Sequence, residues 1–367
     1  MANLFDYLDW RGDLTFEEAE FNEVDSMILA WLSYAALDGI VPADCSETDT
    51  ITIEEASERF VKTHDVEKIL KEYVSFTKTS VLMLQKLAVS RRFRNLQLTG
   101  FVNRIDYTEE SQFCAMTVLL KKNRYVVVFR GTDDSLIGWK EDFNMSFQDS
   151  VPAQREAAAY VAEVAQAYPA MLRLGGHSKG GNLAVYAAAK VNATIQKRIL
   201  EVYNLDGPGF TENMLRDAGY LAIVPKIKTY IPESSIIGML LERRDTYCPI
   251  KSRQLGLLQH EPYSWEIQAG DFEHAEAISW GNRFAGETIA GWIRDMNAEE
   301  REAFVDATYE LLSASGASSV GELLHPKNVL AFFKALNAKE ETRKLLSGEF
   351  LEFLKAAYAS LPKNEKT

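Results

Sequence analysis

The segment Gly176-His177-Ser178-Lys179-Gly180 carries the most chemical information in this chain. It sits between the apolar Met171-Leu172-Arg173-Leu174 and the alanine-rich run Leu183-Ala184-Val185-Tyr186-Ala187-Ala188-Ala189. A G-x-S-x-G turn between a strand and a helix lifts the serine oxygen above a sheet, as a nucleophile elbow does. The glycines lack a Cβ and so leave room for the strained backbone such a turn needs. Lys179 opens the helix, so its backbone N–H lacks an intrahelical acceptor and is free to face a developing oxyanion. The chemistry this permits is attack of a hydroxyl on an acyl carbon.

A serine hydroxyl is a weak nucleophile unless a base takes its proton and an acid orients that base. With this type of elbow the chain order is serine, acid, histidine. Five histidines are available. His64 precedes the expected sheet, His177 adjoins the nucleophile with its side chain expected to point away, and His325 lies in the tail. His260, at the start of the loop Glu261-Pro262-Tyr263-Ser264-Trp265, is the favoured base. His274, within Asp271-Phe272-Glu273-His274-Ala275, reads as a solvated helix residue.

The acid is open between Asp206, Glu233 and, more remotely, Asp245. Asp206 ends the strand after the elbow helix, before Gly207-Pro208-Gly209, where an aspartate also serves as a simple turn residue. Glu233 ends the following strand. For the oxyanion hole, Phe129-Arg130-Gly131-Thr132 follows an apolar strand, and Thr132 is positioned to supply one donor beside that of Lys179.

These residues need a sheet to bring them together. Residues 1–95 read as a helical segment, with helices over Met27–Leu37 (stopped at Asp38-Gly39), from Thr52 onward, and within Lys68–Leu87. Residues 96–281 read as the α/β core. Phe101–Tyr107 and Phe113–Leu120 form an antiparallel pair, and the β-branched run Arg124–Phe129 marks a strand buried on both faces. Strand, helix, strand, helix, strand then describes a mainly parallel α/β sheet flanked by helices. Residues 282–367 read as helical again, with a start at Ala298-Glu299-Glu300 and amphipathic spacing over Lys339–Tyr358. The helical N- and C-terminal additions suit packing or an oligomer surface.

Composition narrows the partners. A net charge of −13 over 367 residues argues against nucleic acid and gives no attraction to anionic membranes. No stretch of 18 apolar residues predicts a membrane span. Three cysteines without C-x-x-C spacing, and an N-terminus without a signal-peptide pattern, predict a cytoplasmic protein with reduced thiols. No metal or organic cofactor is implied.

At this point the sequence resembles the class 3 (fungal-type) lipases of the α/β-hydrolase superfamily. The likeness rests on Phe129-Arg130-Gly131-Thr132, Trp139 and Asp142, Gly176–Gly181, and His260 shortly before Trp265. The chain as a whole is similar to a bacterial family of lipase-like α/β-hydrolases that carries Asp206-Gly207-Pro208-Gly209 and His260-Glu261-Pro262-Tyr263-Ser264-Trp265. The resemblance covers roughly residues 100 to 270. It implies Ser178 as nucleophile, His260 as base, and Thr132 with Lys179 at the oxyanion hole. Two departures stand out. Lys179 replaces the usual leucine, bringing a charge near the entrance, and no aspartate occupies the usual acid position around Glu233-Ser234-Ser235, which favours Asp206.

The expected activity is therefore hydrolysis of a carboxyl ester, small-molecule or lipid, through an acyl-enzyme. The segments Ser135–Trp139 and Ile236–Leu241 would suit an apolar acyl pocket with a partial lid. The alternatives are a scaffold or interaction protein that keeps the fold without its turnover, and a thioesterase or acyltransferase using the same triad.

Overall fold

The computed structural model describes residues 2–45, 48–72, 76–133, 135–235, 237–254, 256–278 and 297–314. Eight strands follow one another across a single sheet: β1 (Ile51–Thr52), β2 (Gln97–Asp106), β3 (Ser111–Lys121), β4 (Arg124–Phe129), β5 (Met171–His177), β6 (Ile199–Leu205), β7 (Ile227–Pro232) and β8 (Tyr247–Ile250). Pairings from β1 to β4 are antiparallel, and those from β4 to β8 are parallel. The carboxyl ends of the five parallel strands share one edge, where an α/β sheet collects its functional loops.

Side-chain alternation along the strands divides the core in two. Cys114, Met116, Val118, Val126 and Val128 face a cluster built with α1 (Leu4–Arg11), α2 (Glu23–Leu32), α3 (Ile53–Thr63) and α5 (Phe76–Val89), against which Val66 and Ile69 of α4 (Val66–Glu72) also pack. Phe113, Ala115, Tyr125, Val127 and Phe129 face a second cluster built with α7 (Pro152–Ala167) and α8 (Lys179–Lys190). The helices of the first 95 residues thus form a full layer over one side of the sheet. A short hairpin of β9 (Ile267–Gln268) and β10 (Asp271–Phe272) borders that layer, with Ile267 N–H donating to Ala2 O at 2.9 Å.

α2 differs from the expected Met27–Leu37. It begins earlier, because Asn22 and Asp25 form a reciprocal capping box, and it ends at Leu32. The hydroxyl of Ser33 donates to Ala30 O at 2.6 Å, a local bond that competes with helix continuation. Every residue of α2 is buried, Asp25 included. Arg92 makes that tolerable: its guanidinium grips both oxygens of Asp25, at 2.9 and 2.5 Å, and donates to the carbonyls of Leu14, Ala19 and Glu20.

The helix Ala298–Ala314 begins at the predicted start and packs on α6 (Leu136–Asn144). Lys140 Nζ lies 2.8 Å from Asp306, and Arg301 donates to Ser146 O at 2.6 Å. The region Lys339–Tyr358 and His325 lie outside the described residues. Among the described residues no helix is long and apolar enough to cross a membrane.

Candidate active site

β5 ends at His177, and Ser178 adopts φ 58°, ψ −131° before α8 begins at Lys179. Packing dictates the flanking glycines. A Cβ on Gly176 would lie 2.3 Å from the carbonyl carbon of Gly180, and one on Gly180 would lie 2.2 Å from Phe129 O. The ends of β4 and β5 and the start of α8 therefore touch backbone to backbone. Ser178 N–H donates to Leu205 O at 2.9 Å, which pins the elbow to β6.

His177 and Leu205 are register partners, so the next residues, Ser178 and Asp206, emerge side by side on the sheet's edge. Asp206 is fully buried, with φ 54°. Its Oδ2 accepts from His260 Nδ1 at 2.6 Å and from Ser235 Oγ at 2.9 Å. With Nδ1 engaged in this way, Nε2 is the ring nitrogen of His260 that stays outside the Asp206 contact. Among the described residues no hydrogen bond joins Ser178 Oγ to His260; such contacts are often long without substrate and tighten on binding.

The other acids go elsewhere. Glu233 follows β7 and its N–H donates to Ile250 O at 2.9 Å, while among the described residues no hydrogen bond joins its carboxylate to His260. Asp245 accepts from Tyr220 at 3.1 Å and Thr229 at 2.6 Å. His274 is exposed and 3.5 Å from Asp271, and it sits in an isolated bridge to Ile250 rather than in a helix.

His260 closes a short 3-10 turn, Gly256–His260, held from below. His177 turns its ring toward it, with Nε2–H donating to His260 O at 2.9 Å and ring centroids 4.5 Å apart. Burial pushes the His177 pKa well below the ordinary imidazole value, so the ring is neutral. Trp31 and Trp265 meet it edge-on, at 5.7 and 6.0 Å. Trp265 Nε1 donates to Gln259 O at 2.8 Å. Tyr263 stacks on Phe5 and donates to Thr79 O at 2.9 Å. The N-terminal helices thus grip the histidine loop directly.

The loop after β4 abuts the elbow, since a Cβ on Gly131 would lie 3.0 Å from Ser178 Cβ and 2.6 Å from His177 O. Thr132 Oγ1 donates to Asp142 Oδ2 at 2.5 Å. Burial lifts the Asp142 carboxyl to about 6, against the opposing pull of Lys179 and of the Thr132 hydrogen bond. Tyr34, in the turn after α2, brings its hydroxyl against Gly131, where an added Cβ would lie 2.4 Å from it. Sequence reading missed Tyr34 and gave Asp142 no role, because neither has a local signal linking it to the elbow. It also misplaced the Lys179 charge: the side chain is fully buried against Glu141 and Gln112, away from any entrance. Of the expected acyl-pocket segments, Ser135–Trp139 caps and begins α6, and Ile236 lies outside the described residues.

The free thiols are Cys45, Cys114 and Cys248. Among the described residues no group of His, Cys, Asp and Glu could hold a metal ion.

Five parallel strands, helices on both faces and a serine on a strained strand-to-helix turn make an α/β-hydrolase-type fold. The profile of the Mbeg1-like family matches residues 87–310, and the chain belongs to that family. Among solved structures, it is similar to Rhizomucor miehei lipase in complex with its propeptide (15% identity, TM-score 0.36), covering 56% of this chain and 66% of that one. It is also similar to a lipase from Rhizopus microsporus var. chinensis (14%, TM-score 0.35), covering 66% and 91% of the two chains. Lip2 lipase from Yarrowia lipolytica (13%, TM-score 0.32) is covered over 99% of its length by 63% of this chain. Comparison with curated proteins found no match.

Proposed function

We propose that this protein is a serine hydrolase of carboxyl esters. His260 Nε2 takes the proton of Ser178 as Oγ bonds to the acyl carbon. The backbone N–H groups of Thr132 and Lys179 receive the oxyanion. Asp206 holds the imidazolium, which returns the proton to the departing alcohol. Water, deprotonated by His260, then cleaves the acyl-enzyme. This chemistry calls for no metal or organic cofactor. The substrate is an ester, small-molecule or lipid, and the reading includes a cytoplasmic location, supported by the three free thiols.

The single observation that carries this reading is the 2.6 Å contact between His260 Nδ1 and buried Asp206, at the strand end next to the elbow. A fluorophosphonate probe tests it. Wild-type protein should label at Ser178, and Ser178→Ala should not. Absence of labelling, under conditions that label a control lipase, would leave the scaffold reading.

A further inference from the structure

Lys179 serves the elbow with its backbone and something else with its side chain. The side chain runs inward, fully buried, between β3 and α6. Nζ donates to Gln112 O at 2.8 Å, Gln112 Oε1 at 2.9 Å and Glu141 Oε2 at 3.0 Å. Those three acceptors use every proton of the ammonium. Glu141, equally buried, also accepts from Gln112 N–H at 3.0 Å and from Ala153 N–H at 2.9 Å. One network therefore ties β3, α6, the start of α7 and the elbow together, with Gln112 Nε2 buried and without a hydrogen-bond partner among the described residues.

The same network reaches the other side of the oxyanion hole. A Cβ on Gly138 in α6 would meet Thr132 Cγ2 at 2.9 Å and Gln112 Oε1 at 3.2 Å, so Gln112 and Thr132 flank one glycine. At Asp142, which accepts the Thr132 hydroxyl, the stabilising effect of the Lys179 cation outweighs the opposing effect of the Glu141 anion.

Filling a core position with an ion pair is a poor route to stability, because apolar residues of similar volume do as well or better. The pair does supply direction, through hydrogen bonds that apolar contacts lack. We infer that Lys179 and Glu141 are positioning residues that lock the Lys179 N–H and the Thr132 loop into one oxyanion-binding geometry. The inference rests on the serine-hydrolase reading above.

The test compares wild type, Lys179→Met and Lys179→Met/Glu141→Gln on p-nitrophenyl butyrate, with thermal unfolding and fluorophosphonate labelling alongside. The single variant leaves the Glu141 charge buried and unpaired, and its Tm should drop. The double variant removes both charges and should recover Tm. It should keep KM while losing kcat by about 10- to 100-fold, as misplacement of a transition-state contact does. Wild-type kcat in the double variant, or a change confined to KM, overturns the positioning role. If wild type labels at Ser178 and the double variant is unimpaired, only this inference falls; if wild type neither labels nor turns over, the hydrolase reading falls and takes it along. Should the double variant not fold, Gln112→Met must lower kcat at constant KM, or the inference is wrong.

Discussion

Asp206 Oδ2 and His260 Nδ1 meet at 2.6 Å although 54 residues separate them along the chain. The strand end that carries Asp206 lies beside the one that carries Ser178. Asp206→Asn should therefore cut ester turnover by about 10⁴-fold, since it favours the wrong imidazole tautomer. Glu233→Gln should change turnover less than about threefold, lacking any contact in the range that orients a base. Steady-state kinetics of the two variants decide the matter, and a larger loss in Glu233→Gln would reassign the acid.

His177 supports the His260 turn from beneath without titrating near neutrality. His177→Phe keeps an aromatic ring between Trp31 and Trp265 but leaves His260 O without its donor. Losing that buried bond should cost about 1–3 kcal/mol in stability. Turnover should fall about tenfold as the histidine turn loosens. Urea unfolding and kinetics on one preparation would show whether both losses occur together.

The Asp25–Arg92 pair, fully buried on both sides, anchors the layer of N-terminal helices. Arg92→Met strands a carboxylate in the core and should lower stability by about 3–5 kcal/mol. Because α2 contributes Trp31 to the support of His177, activity should fade at a lower temperature in the same variant. Circular dichroism melts followed by activity against temperature would reveal a separation of the two.

Glu23 at the start of α2 has its pKa raised to about 8, chiefly by burial and then by the neighbouring Asp271 carboxylate, with Lys228 pulling the other way. The folded protein thus holds a proton that the unfolded chain has lost above the ordinary carboxylate range. Stability from this group is largest at low pH, declines as pH rises from about 4.5 to about 8, and is level beyond. Glu23→Gln should flatten that decline and stabilise the protein most at pH 8 and above. Denaturant midpoints across the range would expose a wrong sign.

Much of the sheet was legible in the residues. The β-branched run of β4 and the apolar strand before the elbow marked central parallel strands, and a helix start at Thr52 was legible, where the structure shows a Thr52–Glu55 capping box opening α3. Asp206 could be favoured because a carboxylate at a strand end has a predictable place on the edge. What stayed hidden depends on contacts between distant residues. Lys179 meets Glu141 across 38 residues, and neither neighbourhood hints at the other. A lone lysine after a nucleophile reads as surface charge; only the tertiary fold shows three acceptors waiting inside. The same holds for Tyr34, which reads as one more aromatic on an apolar helix until the loop of Gly131 folds over it.

The layer formed by α1, α2, α3 and α5 has a practical outcome. The family profile begins at residue 87, near the end of α5 and beyond the other three helices. A fragment trimmed to that span would bare the wall of Cys114, Met116, Val118, Val126 and Val128 and strip Trp31, Phe5 and Thr79 from the histidine turn. Such a fragment should clump on expression and fail to turn over ester even where Ser178, Asp206 and His260 are all retained.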